Sequence, residues 1–410
     1  MRAFLIGVAV ACVALPAMAQ TTARNRTRCS AGDPDARVAA CTALIESRHD
    51  KSLVLAADYA NRGIAYTAKG QNDQAIDDFS HAIALGVRIP DIYVARGRVY
   101  EAKQMLDEAI ADYDRALALN PRFVPALNER GHALEAKGLH DQALADYNRA
   151  IAINPGDGAS FNNRGLVYQD MGRQDEAIAD FNHALALTGG DATIYSNRGD
   201  SYEAKGLHDQ AIADYNKAIA IDPGFAVAYS GRGAVYRAQG LNDKAIADFN
   251  HALALKPDLA VAYNNRGATY QNMGLFDLAI DDFTHALALN PPEIAVVYAN
   301  RGEAYAAKGR YTEAIADFTQ SIALDPNNEL AYDNRGYCYA ESGQYGSALA
   351  DFTKAISLKP DDPIARTNRG SVYEALGRKA EAIADFQAAL AIDPSQAAAR
   401  AGLGRLGGTP

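Results

Sequence analysis

Between Tyr263 and Pro291 the apolar positions recur with the period of a helix, twice over. Tyr263, Gly267 and Tyr270 stand at i, i+4 and i+7 and predict one helix from about Ala260 to Met273, ended by Gly274. Asp277 opens a second, in which Ala279, Phe283, Ala286 and Leu287 share a stripe until Asn290-Pro291 stops it. Gly267 and Ala279 are small where the two helices must approach, and the aromatic residues fill the space beside them. The prediction is a helix hairpin with one apolar side.

That hairpin recurs. Arg-Gly stands at Arg62, Arg96, Arg130, Arg164, Arg198, Arg232, Arg266, Arg301, Arg335 and Arg369. Every interval is 34 residues except one of 35, whose extra residue falls in "NPPEIAVVY" after Pro291. The period defines ten repeats over residues 56–396. One hairpin cannot cover its own apolar side, so successive copies must stack.

A period of 34 carrying Tyr263, Gly267, Tyr270, Ala279, Phe283 and Pro291 resembles the tetratricopeptide repeat, over roughly four-fifths of the chain. The resemblance implies an all-α fold, a right-handed superhelical solenoid of ten helix-turn-helix repeats with half-repeat caps. "DPDARVAACTALIES" aligns with a second helix, with Asp33-Pro34 at its start and Cys41 where other repeats have Phe or Tyr. "SQAAARAGLGRL" aligns with a shortened first helix and brings Gly404 into the register of Gly370. The expected divisions are a signal peptide at 1–19, an N-terminal linker and capping helix at 20–55, the repeats, and a C-terminal capping helix and tail at 397–410.

Sixteen residues after each Arg stands an Asp, from Asp78 to Asp385. The ordinary repeat of the family has an apolar residue, usually Leu, at the Arg position. At about 100° per residue both Arg266 and Asp282 fall on the flanks of their buried stripes, and charges half-removed from water need partners. A structural Arg-Asp ladder is expected, with ligand binding as the alternative. The half-repeats carry Ala40 in the Asp register and Leu403 in the Arg register. Pairing within each repeat leaves every pair complete, whereas pairing each Asp to the next Arg would orphan Arg62 and Asp385.

Asn precedes the Arg at Asn61, Asn163, Asn197, Asn265, Asn300, Asn334 and Asn368, and the series is broken by Ala95, Glu129 and Gly231. This is similar to the asparagine ladder in the repeat superhelix of the O-linked N-acetylglucosamine transferase. That likeness implies a peptide-binding groove in which amides, each a donor and an acceptor, hold main chain. The alternative is that these Asn are solvated helix residues. The residues five, two and one before each Arg, and two, five and six after it, project toward the expected concave wall. They include two cations, Arg98 and Arg237, against eleven carboxylates, Glu101, Glu129, Glu303 and Asp333 among them. Chaperone-binding relatives clamp a terminal carboxylate with Lys and Asn, and that Lys pattern is missing. A neutral or basic extended segment is the expected guest.

Net charge is −10, which provides no positive field for phosphate backbones, so nucleic acid is not an expected partner. "MRAFLIGVAVACVALPAMAQ" has a basic start, a short apolar stretch and Ala17-Met18-Ala19 as a cleavage site, and predicts a signal peptide cut after Ala19. A retained N-terminal helix is the alternative; no membrane span is expected in the mature chain. Secreted or periplasmic chains oxidise, so Cys29 and Cys41 are expected to pair, while Cys338 takes a register of small buried residues. HExxH, paired Cys-x-x-Cys and Walker motifs are absent. His81, His183, His251 and His285 share a register in which Arg115, Arg149, Lys217, Gln320 and Lys354 stand elsewhere, a solvated face rather than a metal site. "GLHDQA" at Gly138 and Gly206 reads as a turn into a helix N-terminus. No catalytic, metal or cofactor residues are expected. The reading is a non-catalytic scaffold holding an extended protein or peptide segment in its concave groove; the alternative is an architectural protein that self-assembles or attaches to the envelope.

Overall fold

The computed structural model describes residues 22–47 and 53–408, so the expected signal peptide and its cleavage site lie outside the described residues. Every regular element among them is an α-helix. The chain divides into two compact units, up to Gly206 and from Leu207. The division falls inside the fifth repeat, between helices Ala192–Ala204 and His208–Ile221. Within each unit successive helices alternate as the first and second arms of hairpins.

The opening repeat of the argument forms helices Ala260–Asn272 and Phe276–Ala288. Gly274, at φ 73°, ends the first in the left-handed conformation that glycine adopts without a Cβ penalty. A Cβ on Gly267 would stand 2.8 Å from Phe283 Cε1 and 3.2 Å from the Ala279 carbonyl oxygen, so only glycine lets the hairpin close this far. Ala279, Phe283 and Ala286 are wholly buried, with Val297 and Ala304 of the next repeat packed against them and Tyr263 and Tyr270 beside them. Full burial of one such aromatic contributes about 1.5–3 kcal/mol. His140 and His208 are the first residues of their helices, as the turn reading of "GLHDQA" requires.

Both ends are covered as expected. The N-terminal half-repeat is Pro34–Glu46, capped by Asp33, whose side chain accepts from the Asp35 and Ala36 amides. Ahead of it the sequence suggested only a linker, yet residues 22–30 are helical and carry Cys29. Cys29 and Cys41 form a disulfide, with Cα atoms 4.8 Å apart, inside a small core with Ala40 and Leu44. At the other end Ala397–Arg405 lays Leu403 on Phe386 and Leu390. Cys338 is buried, and burial pushes its thiol up to about 12.

The 35-residue interval has a local effect. The helix before it, Phe276–Ala288, is one residue shorter than Asn242–Leu255, and Asn290 takes a positive φ of 50° before Pro291-Pro292. A cleft of about 410 Å³ opens there, between Val261 and Asn264 on one side and Leu289, Pro292 and Val297 on the other.

Candidate functional site

Within each unit, Arg-Asp pairs join the two helices of a repeat. Nine of the ten pairs lie inside a unit, and in all nine Arg Nε and Nη2 donate to the two carboxylate oxygens of the Asp sixteen residues on, at 2.6–2.9 Å. This is the within-repeat pairing expected from the caps. Arg198 and Asp214, the remaining combination, fall in different units.

Each guanidinium also has a third partner that sequence reasoning missed. Arg266 Nη1 donates at 2.5 Å to Asn250 Oδ1, on the second helix of the preceding repeat. Ser80, Asp114, Asn148, Asn216 and Thr319 do the same for Arg96, Arg130, Arg164, Arg232 and Arg335. In the N-terminal cap Thr42 serves Arg62 at 3.0 Å, even though Ala40 replaces the Asp. The guanidinium of Arg266 further lies 5.6 and 5.9 Å from the ring centres of Tyr263 and Tyr270. The hydrogen bond to Asp282 raises the Arg266 pKa against the opposing effect of burial. The four His of the shared register are exposed, and each ring sits over the aromatic residue three before the Arg, as His285 does over Tyr263.

The seven Asn before the Arg are all half-buried. Several are joined from repeat to repeat. Asn197 Nδ2 donates to Asn162 Oδ1 at 3.1 Å, and Asn300 Nδ2 to Asn264 Oδ1 at 3.0 Å. Asn334 Nδ2 donates to Glu303 Oε1, and Asn368 Nδ2 to both oxygens of Asp333, each at 3.2 Å. Asn163 Oδ1 accepts from Asn162 Nδ2 at 3.3 Å. At Asn61 and Asn265 the backbone carbonyls accept, from Arg37 Nη2 and Thr269 Oγ1. Where a carboxylate is the acceptor, the amide nitrogen must face it, which turns the amide oxygen to the other side. The gap at Gly231 has a steric cause: a Cβ there would stand 2.6 Å from the ring of Tyr215.

Charge on this face is handled in two ways. In the first, Arg98 Nε donates to Glu129 at 2.9 Å, and Glu101 meets His132 at 3.1 Å and accepts from the Tyr113 hydroxyl at 2.6 Å. The bond to Glu101 raises the His132 pKa despite burial. In the second, Glu303 and Asp333 are met by the neutral amides just named and, for Glu303, by Gln271 Nε2 at 3.1 Å. Burial raises the Glu303 pKa and pushes Asp333 up to about 6. The second unit also carries an apolar column five residues before each Arg: Val227, Val261, Val296, Leu330 and Ile364, 42–57% exposed. The first unit has Ala57, Asp91, Pro125, Ala159 and Thr193 there. Read column by column, the sequence contains this contrast.

Within each unit, stacked helix hairpins of nearly one length define a helical-repeat protein. Family models described as tetratricopeptide repeat match residues 124–157, 156–224, 258–327, 293–361 and 334–397, and one described as TPR repeat matches 97–138 and 233–274. The chain belongs to the tetratricopeptide-repeat family. No curated protein matches it by sequence. Among solved structures it is similar to a tetratricopeptide repeat protein from Parabacteroides merdae, with a TM-score of 0.54 and 21% identity, over 61% of this chain and 98% of that one. The Cut9–Hcn1 hetero-tetramer of the APC/C gives a TM-score of 0.54 at 16% identity, over 91% and 93% of the two chains. A monomeric mutant of IFIT1, solved with Gppp-AAAA, gives 0.54 at 17% identity, over 87% and 86%. At these identities the likeness is one of fold.

Proposed function

We propose that this protein is a non-catalytic scaffold of an extracytoplasmic compartment, secreted or periplasmic, that holds an extended neutral or basic segment of a protein along its first-helix face. The observation that carries the reading is the chain of half-buried amides: Asn197, Asn300, Asn334 and Asn368 use their nitrogens on the neighbouring repeat, which leaves amide oxygens along the face. Oxygen acceptors suit backbone N–H groups and cationic side chains and are mismatched to carboxylates. The exposed column Val227 to Ile364 adds apolar contact for alternate side chains of an extended guest. The carboxylates of the face oppose an acidic C-terminus.

Peptide arrays test it. Neutral and basic peptides are expected to be captured over acidic C-terminal ones, and capture is expected to fall when Asn163, Asn197, Asn265 and Asn300 are all replaced by Ala. Preference for acidic C-termini, or capture unchanged in the quadruple variant, would remove the amide series from the binding site.

A further inference from the structure

One repeat beyond the apolar cleft, the same face of the second unit holds a pocket of different chemistry. Ala306 and Ala307 stand five and six residues after Arg301, where the preceding repeat has Gln271 and Asn272. Their short side chains leave a space of about 400 Å³ walled by Glu303, Asn334, Tyr311 and Tyr337. Tyr337 is 43% exposed and meets Tyr311 edge to face, with ring centres 6.4 Å apart.

Glu303 is the one ionisable carboxyl on the pocket wall, and its hydrogen-bond donors, Asn334 and Gln271, are neutral. Among the described residues no cation stands within ion-pair distance of it. Three other first-helix carboxylates have a cation, Glu129 with Arg98, Glu101 with His132 and Glu374 with Arg405, whereas Glu303, like Asp333, is met by amides alone. A half-buried negative charge without a counter-charge is costly, and the cost is relieved by a cation arriving from outside. Tyrosine rings beside the carboxylate add the attraction of an aromatic face for an organic cation. Leu330, 57% exposed, lies one helical turn before Asn334 on the same helix and adds apolar surface to that face.

We propose that the Glu303–Tyr311–Tyr337 pocket receives a single Lys or Arg side chain of the guest segment, so that this unit selects segments with a basic residue set among apolar ones. The proposal rests on the reading of the face as a peptide groove. It specifies where the positive charge enters.

The test separates the two. The full chain is titrated with Nα-acetyl-arginine methylamide and, in parallel, with the norleucine analogue, while the ring resonances of Tyr311 and Tyr337 are followed by NMR. The arginine compound is expected to shift both rings saturably and the norleucine compound is not. Glu303→Gln, which keeps the shape and one of the two amide contacts while removing the charge, is expected to abolish the shift, and Ala306→Gln, which fills the pocket, to do the same, with helix content unchanged in each. An array of extended Val/Thr peptides with one central Lys, Arg or norleucine is then expected to show roughly tenfold stronger capture of the basic peptides by the wild type, about the worth of one charge-assisted hydrogen bond, and no preference by Glu303→Gln. No saturable shift with the arginine compound, or a preference that survives in Glu303→Gln, would overturn the pocket assignment. Loss of basic preference with norleucine peptides still captured in an Asn-dependent way would leave the groove standing; capture independent of the Asn series alongside an intact arginine shift would do the reverse.

Discussion

Arg266 holds both carboxylate oxygens of Asp282, at 2.7 and 2.8 Å, across the contact between the two helices of one repeat. Their side chains are 19% and 7% exposed. A buried ion pair is not in itself a net gain over an apolar pair, because both charges must leave water. What the geometry does dictate is the cost of removing one partner.

Arg266→Leu is expected to destabilise the second unit by about 1–3 kcal/mol, because Asp282 stays behind with neither charge nor donors. Changing Asp282 to Ala as well should cost less than the two single changes summed. A double-mutant cycle in urea measures the coupling, and a value of zero would mean that the pair does not act as one. Asn250→Ala, which removes only the third partner, is expected to cost about 0.5–1.5 kcal/mol.

The disulfide between Cys29 and Cys41 closes a loop of twelve residues over the first hairpin. Its loss, by reduction or by replacing both with Ala, is expected to lower stability by about 2–3 kcal/mol, with fraying confined to the N-terminal end. Alkylation of the native protein is the check. Cys29 and Cys41 should react only after reduction, and Cys338, buried with a raised pKa, only on unfolding.

Asp333 gives a pH signature. Its carboxyl, pushed up to about 6 by burial, titrates above its unfolded value near 3.9, so the folded state binds the proton more tightly. Stability from this group is therefore lost as pH rises through the window between those values. Asn128, Asn162 and Asn264 occupy the same register in other repeats. Asp333→Asn is expected to match the wild type near pH 4 and to exceed it by on the order of 2 kcal/mol at pH 7.5, in urea unfolding at the two pH values. Equal stability of the two proteins at both pH values would show that burial does not perturb this carboxyl.

Gly231→Asn completes the amide series in sequence and is expected to harm the fold. The new Cβ meets the buried ring of Tyr215, and a cost of about 1–3 kcal/mol should outweigh the few tenths gained in helix propensity. A lower thermal midpoint for this variant is the expected reading.

The repeat, the hairpins and the direction of the Arg-Asp pairing were legible because each rests on period and on what the caps leave out, Ala40 and Leu403 above all. The third partner of the guanidinium was present too, as the short polar column Ser80, Asp114, Asn148, Asn182, Asn216, Asn250 and Thr284. Such a column reads as a solvated flank until the next repeat is laid against it. The same holds for Tyr113: Tyr replaces Phe at this register only at Tyr113, Tyr147 and Tyr215, and each time a Glu stands five after the Arg, at Glu101, Glu135 and Glu203. For the first of these the bond is seen, at 2.6 Å. The Asn positions were legible, but not that their nitrogens would be taken up by neighbouring repeats, since that depends on how far one first helix stands from the next. The division near Gly206 leaves no mark, because the 34-residue period runs through it unchanged.

In the nine pairs that lie within a unit, two nitrogens of the guanidinium stay within their own repeat and the third reaches one repeat back, so none of these pairs is tied to its place in the series. If residues 130–163 were excised, Arg164 would find Asp114 where it now finds Asn148, an acceptor of similar length in the same register. Whole repeats can thus be gained or lost by duplication or unequal exchange of their coding segments without stranding a charge at the new junction. The length of the first-helix face becomes something that lineages of such chains can adjust in steps, one hairpin at a time, with the fold ready at every step.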